Sequence, residues 1–317
     1  MRVLITGAAG FIGRQVLEQL AVQYPQWSLI AADIQPISTH GLRANVEPIQ
    51  LDISKSREVK VCIASWKPQV IIHMASVVTP PRDMTEKRLH AIDVGGTRSV
   101  IAAAAAEGVE QLVFTSSGAA YGYHPDNAEW ISEDQPLRGH DTFAYAKHKR
   151  EVEQLLANAR VEHPQLKQLV LRPGTVLGKQ VNNQITELFK KRSVLGVWGY
   201  DSRFVFIWDK DVVNVICQGV ARQVEGIYNL AGDGALSLKE IAGLLHKPYR
   251  PIPSSLIKLG LRIMQPLGLS QYGPEQLDFL RYRPVLSNQR LKQEFGYTPR
   301  YTSLQAFEEF LRAQGNS

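Results

Sequence analysis

Apolar positions along this chain follow two rhythms. In the first half, short runs of consecutive apolar residues alternate with longer stretches in which apolar residues recur at helical spacing. The runs are RVLIT (2–6), WSLIAAD (27–33), VEPIQLD (46–52), QVIIH (69–73), QLVFTS (111–116) and KQLVLRP (167–173). Between them, FIGRQVLEQLAVQY (11–24), SKSREVKVCIASW (54–66), residues 84–107 and residues 142–161 read as helices. Ser54 is placed to cap the second of these. Near-continuous apolar runs suit strands covered on both faces, as in a parallel sheet. Strand–helix alternation of this kind predicts a doubly wound α/β fold with right-handed crossovers. The stretch IAAAAAEG (101–108) reads as a close-packed helix ended by Gly108, since Ala is the best helix former.

After about residue 175 the rhythm changes. RFVFIWDKDVVNVI (203–216) and EGIYNLAG (225–232) form a late strand–helix–strand return. Residues 251–274 predict apolar helical pieces bounded by proline, and SLQAFEEFLRA (303–313) an amphipathic helix.

Composition changes this picture little. The chain has 317 residues, 44% of them apolar, so it can bury a full core. The net charge of +6 is spread out, with no block of five like charges. It fits a solvated surface and an anionic cofactor or substrate better than nucleic acid. Cys62 and Cys217 lie in apolar helical patterns and have no metal or disulfide spacing. No signal-peptide pattern opens the chain and no apolar run is long enough to span a membrane, so the expected setting is cytoplasmic.

The candidate chemistry begins at TGAAGFIG. Gly7, Gly10 and Gly13, with Phe11 and Ile12 between the last two, follow the first strand and open the first helix. Such a turn lets a pyrophosphate approach the backbone, where the helix N-terminus offers free N–H groups. Asp33 ends the second strand 20 residues beyond Gly13, where an acid can accept hydrogen bonds from an adenosine ribose. It would repel a 2′-phosphate, and the neighbouring Ile34 and Gln35 supply no arginine, so NAD(H) is expected over NADP(H). Asp52 and Ile53 follow the third strand, at the sheet end that would face the adenine; Asp52 could instead cap a helix. Met74, Ala75 and Ser76 close the fourth strand at the same sheet edge, while His73 reads as a buried, hydrogen-bonded residue.

Tyr145 and Lys149 are spaced to share one helix face, and Ser117 lies at the end of the fifth strand. A free tyrosine has a pKa near 10. A neighbouring ammonium favours the phenolate, which makes Tyr145 a usable proton acceptor and donor. Lys149 can also hold a nicotinamide ribose, and Ser117 can hydrogen-bond the substrate oxygen.

TGAAGFIG, HMAS, FTSSGAAYG, YAKHK, LRPGTVLG, RFVFIWDKDVV, YNLAGDG and FGYTPRYTSLQAFEEFL occur in this order. Together they resemble the extended short-chain dehydrogenase/reductase superfamily, in its NAD-dependent epimerase/dehydratase branch, with a UDP-glucose 4-epimerase-like pattern. The resemblance implies a Rossmann-type domain over 1–175 and 205–230, and a smaller substrate domain over 176–204 and 231–317. It implies Ser117, not Ser116, as the catalytic serine. It further implies a small-molecule substrate such as a nucleotide sugar, and a homodimer paired through the 84–107 and Tyr145 helices.

Four departures bear on the substrate. Asp93 stands where the family often has Asn. Gly118 and Ala119 replace the Asp-Glu pair of sugar-nucleotide dehydratases. Thr175 replaces the phosphate-contacting Asn of UDP-galactose 4-epimerases. Three readings stay open: a nucleotide-sugar epimerase, an NAD-dependent dehydrogenase of a less polar alcohol resembling 3β-hydroxysteroid dehydrogenases, and a non-catalytic NAD sensor. Val77, Val78 and the apolar 254–270 segment favour the second; an intact Ser117, Tyr145 and Lys149 oppose the third. Titrating both cofactors should show at least a tenfold preference for NAD(H), narrowed by Asp33→Ala. Tighter NADP(H) binding by the wild type would contradict the role given to Asp33.

Overall fold

The computed structural model describes residues 1–38, 41, 43–81, 83–181, 183–264, 273 and 277–315. They divide into two compact units. The first comprises Met1–Ser117, His148–Arg172 and Asp209–Tyr228; the second comprises the described residues of 118–147, 173–208 and 229–315.

The first unit is built on β1 (Arg2–Thr6), α1 (Phe11–Gln23), β2 (Ser28–Asp33), β3 (Val46–Gln50), α2 (Ser56–Trp66), β4 (Val70–His73), α3 (Glu86–His90), α4 (Thr97–Ala106), β5 (Gln111–Thr115), α5 (Ala144–Glu162) and β6 (Lys167–Pro173). Helix α5 crosses the boundary between the units, which falls after Lys147. The sheet runs in the order Gly226–Leu230, β6, β5, β4, β1, β2, β3. β1 pairs in parallel with β2 and β4, β4 with β5, and β5 with β6. This is the doubly wound, Rossmann-type order. Val3, Leu4 and Ile5 are all completely buried. Successive strand residues point to opposite faces, so both faces of the sheet are covered and the apolar runs are continuous for that reason. One core layer joins Leu4, Ile30, Ile71, Leu112 and Val170 of the strands to Ile63, Val100 and Leu156 of the helices. Helix α1 packs against the Asp209–Ala221 helix, and α2 against α4.

Two local expectations are corrected. Ser54 does not cap α2. Its hydroxyl donates to Asp52 Oδ1 at 2.7 Å, and the helix starts after Lys55 with no side-chain cap. The expected 84–107 helix is α3 and α4 joined by a six-residue π-helical segment, Ala91–Gly96. Gly95 and Gly96 weaken the α-helical preference there. Gly96 packs closely on Ile53: a Cβ would lie 2.8 Å from its Cδ1, so that side chain would have to shift.

The second unit has its own core, in which Phe189, Phe204, Phe206 and Phe307 pack ring against ring. Of the 251–274 stretch, the structure shows a helix at Ser254–Met264; residues 265–272 and 274 lie outside the described residues. Among the described residues, no helix is long and apolar enough to cross a membrane.

His73 ends β4 completely buried. Thr97 Oγ1 donates to the Asp93 carbonyl at 2.6 Å, so it accepts from His73 Nε2 at 3.0 Å; His73 Nδ1 then accepts from Thr6 Oγ1 at 2.6 Å. Burial and the Lys149 charge push its pKa down to about 3. The unfolded chain therefore takes up a proton near pH 6.5 that the folded chain refuses, and stability falls as pH drops from there toward 3. Denaturant unfolding should show a loss of about 2 kcal/mol by pH 5 from this group alone. That part of the pH dependence should vanish in His73→Gln; the same pH dependence in both proteins would refute it.

Candidate active site

The turn after β1 is held by its glycines. Gly7 has a φ of +75°, and a Cβ there would lie 2.7 Å from the Ala75 nitrogen. A Cβ on Gly13 would lie 2.0 Å from the Gly7 oxygen. Gly10 donates to that same oxygen at 3.0 Å and caps α1 without a side chain, and the first turn of α1 carries no acid. The positive end of the helix therefore has no side-chain counter-anion of its own, which fits a pyrophosphate.

Asp33 is anchored to this turn. Its Oδ2 accepts from the Ala9 N–H at 3.0 Å and its Oδ1 from the Gln35 N–H at 2.9 Å, and each oxygen retains acceptor capacity. Phe11 is exposed, Ile12 half-buried, and Ile53 buried beneath Gly96. Asp52 is half-buried and held by Ser54. Met74, Ala75 and Ser76 form the half-buried loop after β4, and Ser76 donates to Asp93 Oδ1.

The two serines after β5 differ. Ser116 is buried and donates to Glu153 Oε1 at 2.5 Å; the same carboxylate takes a two-pronged contact from Arg172. Ser116 is thereby committed to a buried ion pair, whereas Ser117 is half-buried. Lys149 is buried, with Nζ donating to the Thr115 carbonyl at 3.0 Å and lying 5.0 Å from the Phe114 ring centroid. Burial pulls its pKa down, and Asp93 and then Glu153 oppose that without reversing it. Tyr145 lies in the first turn of α5, four residues before Lys149. In the second unit it packs beside Ala119, Tyr123 and Ala146.

Two groups escaped the sequence reading. His148 is 1% exposed and its Nδ1 donates to Asp93 Oδ2 at 3.1 Å. Arg283, in the second unit, stacks on Phe204 at 4.2 Å and Phe279 at 4.4 Å; burial pulls its pKa down to about 10, and its Nη1 is buried without a hydrogen-bond partner among the described residues. Neither sits in a pattern that periodicity could flag. The only signal for His148 is its place beside Lys149.

The family model for the NAD dependent epimerase/dehydratase family matches residues 3–231. An uncharacterised protein of Mycobacterium tuberculosis is 23% identical over 99% of this chain and 84% of its own length. The 3β-hydroxysteroid dehydrogenase/Δ5→4-isomerase of vaccinia virus is 29% identical over 58% of this chain and 54% of its own. In fold, the chain is similar to the UDP-glucose 4-epimerase of Thermus thermophilus, solved with NAD. That match has a TM-score of 0.73 and 22% identity, covering 98% of this chain and 99% of that one. With the glycine turn and Asp33 in place, the chain belongs to the NAD-dependent epimerase/dehydratase family. It is an enzyme of that family, and NAD is its cofactor.

Because a Cβ at Gly13 meets backbone rather than a mobile side chain, Gly13→Ala should weaken NAD binding at least tenfold while circular dichroism stays native-like. Unchanged affinity would show that the turn does not hold the cofactor.

Proposed function

We propose that the protein is a nucleotide-sugar epimerase working through Ser117, Tyr145 and Lys149. The observation that carries this is the buried Lys149 ammonium. It is fixed on the carbonyl of Thr115, two residues before Ser117, and shares a helix face with Tyr145. Gly7, Gly10, Gly13 and the start of α1 would hold the NAD pyrophosphate, and Asp33 the adenosine ribose. Asp52, Ile53 and Met74–Ser76 would line the remainder, and Lys149 with Tyr145 the nicotinamide ribose. Bound NAD supplies the acceptor and then the donor of a hydride.

The chain's own residues manage the proton. Ser117 donates a hydrogen bond to the reacting sugar oxygen. Tyr145 Oη removes the proton from that oxygen and later returns it. Tyr145 is the phenolate before the first of these events and again after the second, and the Lys149 ammonium lowers the cost of that form. In an epimerase the proton borrowed is the proton returned, so Tyr145 ends as it began. Dehydration is disfavoured because Gly118 and Ala119 carry no acid, and a Cβ on Gly118 would lie 2.9 Å from Leu286 Cδ1.

A second reading is a dehydrogenase of a less polar alcohol. The viral relative favours it, as do Thr175 and the exposed Leu256, Leu259 and Ile263 on the 254–264 helix.

On a panel of UDP-hexoses, Tyr145→Phe should lower turnover at least a hundredfold and change NAD affinity little, because only the proton-carrying oxygen is removed. Lys149→Ala should impair both. Near-normal turnover by Tyr145→Phe would overturn the mechanism.

A further inference from the structure

Asp93 is a buried carboxylate that this proton transfer does not use. It lies in the π-helical segment and is 5% exposed. A π turn inside a helix re-aims its side chains, and such turns recur at functional sites. Here the carboxylate is gripped from two other elements. Oδ1 accepts from Ser76 Oγ and from the Val77 N–H, each at 3.0 Å, in the loop after β4. Oδ2 accepts from His148 Nδ1 at 3.1 Å, on α5. Burial alone would raise the Asp93 pKa. The hydrogen bonds from His148, Val77 and Ser76, with the Lys149 charge, outweigh it and hold the carboxyl below its usual range.

Asp93, His148 and Lys149 line one small cavity, with Ala75 and Phe114 also in its wall. Its volume is about 10 Å³, the size of a single water. No bulk solvent fits there to screen the carboxylate from the ammonium. The other groups around Lys149 offer less. Glu153 is already paired with Arg172. His73 is held neutral between Thr6 and Thr97. The Thr115 carbonyl and the Phe114 ring carry no net charge. His148 reaches Asp93 through Nδ1, and its buried Nε2 has no hydrogen-bond partner among the described residues.

We propose that Asp93 is a positioning residue: a carboxylate held by Ser76, Val77 and His148, whose fixed charge across the shared cavity supports the Lys149 ammonium. The link from Lys149 onward to Tyr145 rests on the mechanism above; the charge of Lys149 does not.

The test reads that charge directly. Protein labelled with 13C at lysine Cε and saturated with NAD is titrated by NMR, with the Lys149 resonance assigned by its loss in Lys149→Met. In Asp93→Asn the proton affinity of Lys149 should fall at least tenfold. Asn keeps the shape and the acceptor facing Ser76 and Val77. His148→Asn, which keeps a donor toward Asp93, should leave the Lys149 midpoint within twofold of wild type. Linkage is reciprocal, so Lys149→Met should raise the proton affinity of Asp93 at least tenfold, read from its 13Cγ resonance. That second titration serves if Asp93→Asn does not fold. An unchanged Lys149 midpoint in Asp93→Asn, or an unchanged Asp93 midpoint in Lys149→Met, would overturn the proposal. Failure to turn over any UDP-hexose would count against the epimerase reading and leave both titrations as they are.

Discussion

A lysine ammonium withdrawn from water is the demand that organises the interior of the first unit. Removing such a charge from solvent costs several kcal/mol unless other groups replace the lost hydration. At Lys149 they come from separate elements. The end of β5 contributes the Thr115 carbonyl and the Phe114 ring face, and the π-helical segment contributes the Asp93 carboxylate. Each is useful only if its element stops or bends at the right residue. β5 ends at Thr115, so the next residues are free to diverge: Ser116 turns into the Glu153–Arg172 ion pair and Ser117 stays half-buried. The π turn widens the helix at Asp93, and Thr97 Oγ1 donates to the Asp93 carbonyl there.

The glycine turn answers a different demand, that of an anion with no side chain to meet it. The contacts a Cβ would make at Gly7 and Gly13 are with backbone, so neither position can relax around a larger residue. Asp33 is tied to the same turn through the Ala9 N–H. The Asp33 carboxylate and the glycine turn are thus joined directly by a hydrogen bond.

Much of this was legible in the sequence, for physical reasons that differ from place to place. β1, β2, β4, β5 and β6 showed as apolar runs because both faces of the sheet are covered there, whereas the edge strand β3 is buried only at Val46. The turn showed because glycine spacing between a strand and a helix has few other causes. The cap on α2 was misread because Ser54 has a nearer partner in Asp52, and composition does not say which partner wins. The π segment was invisible because helical periodicity is the same on either side of it. The Asp93–His148 pair joins positions 55 residues apart, and only the folded chain brings them together. The family resemblance singled out Ser117; the commitment of Ser116 to Glu153 is a property of the core that no motif carries.

The central claim is that hydride and proton leave the substrate and come back to it. Following NADH absorbance while a UDP-hexose is converted to completion tests this most directly. The account predicts interconversion of two sugar epimers with no net NADH at the end. One NADH released for each substrate consumed would contradict it and establish a dehydrogenase instead.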